Sequence, residues 1–126
     1  MQKQNKHNKH KNQVRIIGGE LRGRKVRFAD AEGLRPTTDS VRERLFNWLG
    51  QDLTGQTVLD LFAGSGALGF EAASRGAKRV VLVENNLRTA ASLQQQMQEL
   101  RLPEKIEIQS IDAFEFLEKT NEQFDV

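Results

Sequence analysis

The segment Val58-Leu59-Asp60-Leu61-Phe62-Ala63-Gly64-Ser65-Gly66-Ala67-Leu68-Gly69 places a carboxylate four residues ahead of a Gly-x-Gly turn. Gly64 and Gly66 let the backbone turn sharply and approach a ligand closely. The apolar run from Thr57 to Phe62, broken by Asp60, reads as a buried strand, and residues 66–75 read as a helix that Gly76 terminates. The loop between them therefore lies at the carboxyl end of a strand, where open α/β sheets bind their ligands. Glu84 ends the next strand, Val80-Val81-Leu82-Val83. An acid there is placed to accept hydrogen bonds from two ribose hydroxyls. Asp112 follows a third strand, residues 106–109. It can accept from an adenine amino group, cap the helix that starts at Ala113, or do both.

These residues imply a nucleotide with a free ribose, and two nucleotides compete. Gly64-Ser65-Gly66-Ala67-Leu68-Gly69 also satisfies the Gly-x-Gly-x-x-Gly dinucleotide pattern, so a nicotinamide dehydrogenase is one reading. In such a site the glycine turn and helix N-terminus hold a pyrophosphate. Asp60 would repel that group. S-adenosylmethionine has no phosphate and carries an amine and a sulfonium cation, which an acid attracts. The charge at Asp60 thus favours S-adenosylmethionine. A carboxylate that only caps its own turn is the structural alternative.

The elements that must position this loop alternate along the chain. After the glycine helix and the strand at 80–83, Asn86 can cap a helix with Leu93, Met97 and Leu100 on one face, ending before Pro103. A helix over 113–119 follows the third strand, with Phe114 and Leu117 expected to face inward, and Phe124-Asp125-Val126 reads as the start of a fourth strand. Strand–helix alternation of this length implies an α/β fold with a parallel, doubly wound sheet and right-handed crossovers. Upstream, residues 14–17 and 25–28 read as two short strands of a hairpin carrying Arg15, Arg22, Arg24, Lys25 and Arg27. Residues 29–36 read as a loop. A helix capped by Thr38 or Asp39 should follow, with Val41, Leu45, Trp48 and Leu49 on its inner face and Gly50 at its end.

The 126 residues suffice for one small domain, and 37% of them are hydrophobic, which permits a core. Up to Arg27, nine Lys and Arg residues face only Glu20, so that stretch carries +8; the whole chain carries +2, and the remainder therefore −6. A basic arm on an acidic body is the layout of a polyanion binder. Cations on a short ribbon would contact phosphates, giving affinity but little sequence choice. Residues 1–13 are polar, basic and low in complexity, and read as a disordered tail. His7 and His10 have no companion ligand nearby, so no metal site is expected. With no cysteine, disulfides and Cys-based metal sites are excluded, which suits a reducing cytoplasm. No signal peptide or membrane span is expected.

The glycine segment with Glu84 and Asp112 resembles the cofactor-binding set of class I methyltransferases. Arg15-Ile16-Ile17-Gly18-Gly19, Arg22-Gly23-Arg24-Lys25 and Leu34-Arg35-Pro36-Thr37-Thr38-Asp39-Ser40-Val41-Arg42-Glu43 narrow the likeness. From about Val14 to Val126 the chain resembles the ribosomal RNA small-subunit methyltransferase D family. The resemblance implies a Rossmann-like class I fold and methyl transfer from S-adenosylmethionine to the exocyclic N2 of one guanine in 16S rRNA, the guanine 966 of the family's name. It implies a cofactor-binding set of Asp60, Phe62, Ala63, Gly64, Ser65, Gly66, Glu84, Asn85, Asp112 and Ala113, with Thr38 bordering the methionine end. It implies RNA contact by Arg15, Arg22, Arg24, Lys25, Arg27 and Arg35. The partner would be 16S rRNA or a small-subunit assembly intermediate, met by a monomer in the cytoplasm.

The family's catalytic motif is an Asp or Asn, two prolines and an aromatic residue at the end of the fourth strand. The prolines here are Pro36 and Pro103 only, so no such motif occurs in this sequence. An exocyclic amine is a poor nucleophile, and that motif would hold its hydrogens and stack its base. No catalytic residue is therefore named. The chain reads as a cofactor-binding part, cut before that motif and expected to be inactive alone. Residues 14–50 are expected to form the RNA-contacting unit and 51–126 the cofactor-binding half. Two other readings are a methyltransferase for a different amine, on protein or other RNA, and a non-catalytic module that only binds RNA or cofactor.

Overall fold

A computed structural model describes residues 12–28 and 37–126. In chain order the elements are β1 (Gln13–Arg15), β2 (Lys25–Arg27), α1 (Asp39–Leu49), β3 (Thr57–Asp60), α2 (Ala67–Ser74), β4 (Arg79–Val83), α3 (Leu87–Glu99), β5 (Ile106–Gln109) and α4 (Ala113–Lys119). The expected tail at 1–13 falls almost wholly outside the described residues, and the loop at 29–36, with Arg35, entirely so.

β3, β4 and β5 form a parallel sheet in that order, with Asp60 opposite Leu82 and Val83 opposite Gln109. Val80 to Val83 are fully buried, as a central parallel strand with helices on both faces requires. Val80 and Leu82 pack with Phe70, Ala72 and Ala73 of α2 and Leu93 and Met97 of α3. Val81 and Val83 pack on the opposite face with Ala113 and Phe116 of α4. The sheet is therefore doubly wound. Burying a side chain such as Phe70 stabilises the fold by about 1.5–3 kcal/mol.

The chain's end extends the sheet beyond β3. Asp125 N and Val126 N donate to Thr57 O at 2.9 and 3.1 Å, and Leu59 N donates to Val126 O at 3.0 Å. The start of a fourth strand read from Phe124 to Val126 is consistent with these bonds. β1 and β2 pair antiparallel, with Arg15 opposite Lys25 and Val14 opposite Val26. Ile16 and Val26 join the α2–α3 side of the core, so the hairpin packs on the same hydrophobic body as the sheet.

Three expectations about elements are corrected. The inner face of α1 is Arg42 and Phe46, with Leu45 and Leu49 half-buried. Val41 is 49% and Trp48 83% exposed. An apolar stripe leaves Arg42 out, whereas Arg42 is buried against Asp39 and Glu71. In α4 the buried pair is Ala113 and Phe116, while Phe114 and Leu117 face out. Both pairs have the same spacing, so a helix this short fixes its phase only by what covers it. β3 stops at Asp60 rather than Phe62, because the chain turns there: Phe62 N donates to Asp60 Oδ1 and Ala63 N to Val83 O. Smaller shifts occur at β1, which stops at Arg15, and at α2, which ends at Ser74. Of the two cap candidates for α1 it is Thr38 whose hydroxyl accepts, from Val41 N at 3.3 Å.

Candidate functional site

The glycine loop, Glu84 and Asp112 all lie at the carboxyl edge of the sheet because they follow three adjacent parallel strands. Glu84 joins the first two. Its Oε1 accepts from Gly64 N at 3.0 Å and its Oε2 from Asn86 N at 3.0 Å. One carboxylate thus fixes the glycine turn against the end of β4, and each oxygen keeps a lone pair for a further donor. Glu84 N itself bonds to Gln109 O of β5 at 3.0 Å. Asn85 beside it is exposed.

Gly66 caps α2 in the left-handed region, at φ +85°. A Cβ there would lie 2.4 Å from Phe70 Cε2 and 2.7 Å from Leu93 Cδ2, so only glycine fits. Ser65 is buried, and its Oγ accepts from Ala67 N at 3.3 Å. Ala63 is buried and Phe62 is 74% exposed. Five amides of this stretch therefore already donate within the protein: those of Phe62, Ala63, Gly64, Gly66 and Ala67.

Asp60 is half-buried. Burial pushes its carboxyl above the usual carboxylate range, the Phe62 N–H opposes that, and the negative charge of Glu84 adds to it. Among the described residues no Lys or Arg forms a salt bridge with Asp60 or Glu84. Two acids without a cation, beside a loop whose amides are largely engaged, suit a positively charged ligand and disfavour a phosphate. The turn-capping role weighed for Asp60 is also present, through the 3.1 Å bond from Phe62 N. Asp112 caps α4, its Oδ2 accepting from Phe114 N at 3.0 Å and Glu115 N at 3.3 Å. Ala113 is buried under the sheet. Thr38 sits elsewhere, in a shallow groove with Arg15, Lys25 and Asp39.

The cations of the hairpin are all exposed where described: Arg15, Arg22, Arg24, Lys25 and Arg27. Alternation along β2 turns Lys25 and Arg27 outward and Val26 inward. Arg24 Nη2 reaches Glu99 O, at the end of α3 away from Asn86, at 3.5 Å. With 13 residues in α3, the hairpin tip stands roughly 20 Å along that helix from the glycine loop's edge.

Sequence reasoning missed what holds the hairpin. Glu71 is fully buried in α2 and accepts from Ile17 N and Gly18 N, both at 2.9 Å. Arg75 Nε donates to it at 2.8 Å and Arg42 Nη1 at 3.4 Å. Arg42 also donates to Arg15 O at 2.9 Å and pairs with Asp39. Arg75 lies over the Phe46 ring at 4.7 Å. The signal was a single acid inside an otherwise apolar helix segment, Ala67-Leu68-Gly69-Phe70-Glu71-Ala72-Ala73-Ser74.

The family described as conserved hypothetical protein 95 matches residues 14–126. The ribosomal RNA small subunit methyltransferase D of Haemophilus influenzae is 45% identical over 119 residues, 92% of this chain and 62% of that protein. The protein of the same name from Escherichia coli is 60% identical over 72 residues, 57% of this chain and 36% of that protein. The solved structure of yhhF from Escherichia coli, provisionally assigned as a methyltransferase, superposes with a TM-score of 0.75 at 42% identity, covering 83% of this chain and 56% of that one. The chain thus spans about three fifths or less of these relatives. The resemblance read from the sequence holds, and the fold is the Rossmann-like fold of class I methyltransferases. Among the described residues no helix is long and apolar enough to cross a membrane, and no cluster of potential metal ligands occurs.

Proposed function

This chain belongs to the family described as conserved hypothetical protein 95, and from that premise we propose that it forms the S-adenosylmethionine-binding part of a ribosomal RNA methyltransferase. The target is the exocyclic N2 of a guanine in 16S rRNA. The observation that carries the cofactor assignment is the pair Asp60 and Glu84, two acids around a glycine turn with no salt-bridge partner among the described residues. The bound cofactor would supply an electrophilic methyl group on a sulfonium centre. Asp60 attracts its cationic methionine end. Glu84 accepts from its ribose hydroxyls while holding Gly64, and Oδ1 of Asp112, the oxygen that does not cap α4, accepts from the adenine amino group. Phe62, Ala63, Ser65, Asn85 and Ala113 line the remaining contact. The target being RNA is supported by the names of the relatives and by five exposed cations on one ribbon.

Calorimetry of the intact protein with S-adenosylhomocysteine and with NADH tests the cofactor. Saturable binding of the first and none of the second is expected; the reverse would return the site to a dinucleotide. Transfer of labelled methyl from S-adenosylmethionine to a 16S rRNA transcript by the whole enzyme that contains this part, traced to guanine N2, tests the reaction. Label in protein or in another base would overturn the assigned target.

A further inference from the structure

The hairpin is not a free basic arm. Its turn is bonded, amide by amide, to the C-terminal half of α2. Ile17 N and Gly18 N donate to the two oxygens of Glu71. Glu20 N donates to Ser74 O at 2.7 Å and Leu21 N to Ser74 Oγ at 2.8 Å. Ser74 Oγ in turn donates to Gly18 O at 2.7 Å. Gly19 adopts φ +79°, and a Cβ on it would lie 2.1 Å from Ser74 O, so no side chain fits the contact. Immediately after this seam come Arg22 and Arg24, both exposed. The same helix begins at Gly66 of the glycine loop, about 12 Å away for eight residues.

We propose that Glu71 and Ser74 are positioning residues for the nucleic acid. They act through the hairpin, holding its cations in a fixed array relative to the cofactor loop. The proposal rests on the reading of this hairpin as the RNA contact. Two physical points favour it over plain stabilisation. Buried ion clusters such as Arg42–Glu71–Arg75 contribute little net stability against apolar replacements, so their use needs another reason. An array of cations fixed before binding loses less entropy on meeting a polyanion than a mobile one. Arg42 and Arg75 are themselves withdrawn from the surface by Glu71, leaving the outward cations as the phosphate contacts.

The test uses Ser74→Ala and Glu71→Gln in the intact protein, with Arg22→Ala as a direct-contact control and a 16S rRNA transcript as the probe. Losing the two Ser74 side-chain bonds should weaken transcript binding about five- to tenfold and leave S-adenosylhomocysteine affinity within about twofold. Ser74→Ala combined with Arg22→Ala should cost less than the two singly, since both act through one array. Glu71→Gln should behave alike; if it does not fold, Ser74→Ala alone decides. If Arg22→Ala weakens RNA binding and Ser74→Ala does not, the positioning role is wrong and the RNA contact stands. If Ser74→Ala weakens cofactor and RNA equally, its role is structural and the proposal is overturned. If neither change alters RNA binding, the hairpin is not the contact, and both readings fall.

Discussion

Asp60 carries two tasks that pull in opposite directions. Its oxygen accepts the Phe62 amide and so ends β3, yet its charge sits half-buried near Glu84 with no salt-bridge partner among the described residues. An acid whose folded pKa is raised holds its proton longer in the folded state than in the unfolded chain. The stability of the empty protein must therefore fall as pH rises from the ordinary carboxylate range through the raised value. Asp60→Asn keeps the acceptor and removes the charge. A thermal melt at pH 7 without ligand should show the variant at least as stable as the parent. Its affinity for S-adenosylmethionine should drop by about ten- to hundredfold, the loss expected for a charge-assisted contact. In the parent that affinity should decline as pH falls through the raised Asp60 value, because the protonated acid no longer attracts a cation. A flat affinity profile across mildly acidic pH would remove Asp60 from the cofactor's charge recognition. The sequence made the charge conflict at Asp60 readable because it depends only on residue type and position relative to the turn. It did not reveal the Glu84–Gly64 bond, which requires two strands to be adjacent.

At the scale of elements, the order and type of strands and helices were legible from apolar runs and their Gly, Asn and Pro punctuation. Helix phase was not. α1 offers Val41, Leu45, Trp48 and Leu49 as a plausible stripe, yet it buries Arg42 and Phe46. A buried arginine is invisible to a hydrophobic pattern until its acid is known, and Glu71 lies 29 residues further on. The Ile17 and Gly18 bonds to Glu71 span still longer separations, 54 and 53 residues, beyond any local signal. The corrected phase makes a sharp contrast. Phe46, 2% exposed, packs into the core, so Phe46→Ala should cost about 3–5 kcal/mol. Trp48→Ala should change stability by no more than about 0.5 kcal/mol, as an exposed site does. Denaturant melts of the two variants check this, and a larger loss at Trp48 than at Phe46 would restore the phase read from the sequence. Trp48 with Phe62, Leu45 and Leu59 lines an apolar groove beside Asp60 instead.

Over the whole molecule, charge is sorted rather than balanced. The stretch up to Arg27 is strongly basic and the remainder acidic, and the fold keeps that division by turning the hairpin cations outward while pairing Arg42 and Arg75 with Glu71 inside. This sets how RNA binding should depend on salt. If Arg15, Arg22, Arg24, Lys25 and Arg27 each displace one counterion, the logarithm of the binding constant should fall against the logarithm of salt concentration with a slope of about −3.5 for single-stranded RNA. Each alanine substitution on the ribbon should reduce that slope by about 0.7. Lys119 offers the control: it lies on α4, on the other side of the sheet, and pairs with Glu115. Lys119→Ala should leave the slope unchanged. The magnitude separates two arrangements. A slope near −0.7 would mean a single phosphate contact, with the remaining ribbon cations only solvated. A slope near −3.5 that falls stepwise along the ribbon would mean that RNA lies across the hairpin from its Arg24 end, beside Glu99, toward Arg15 and α1.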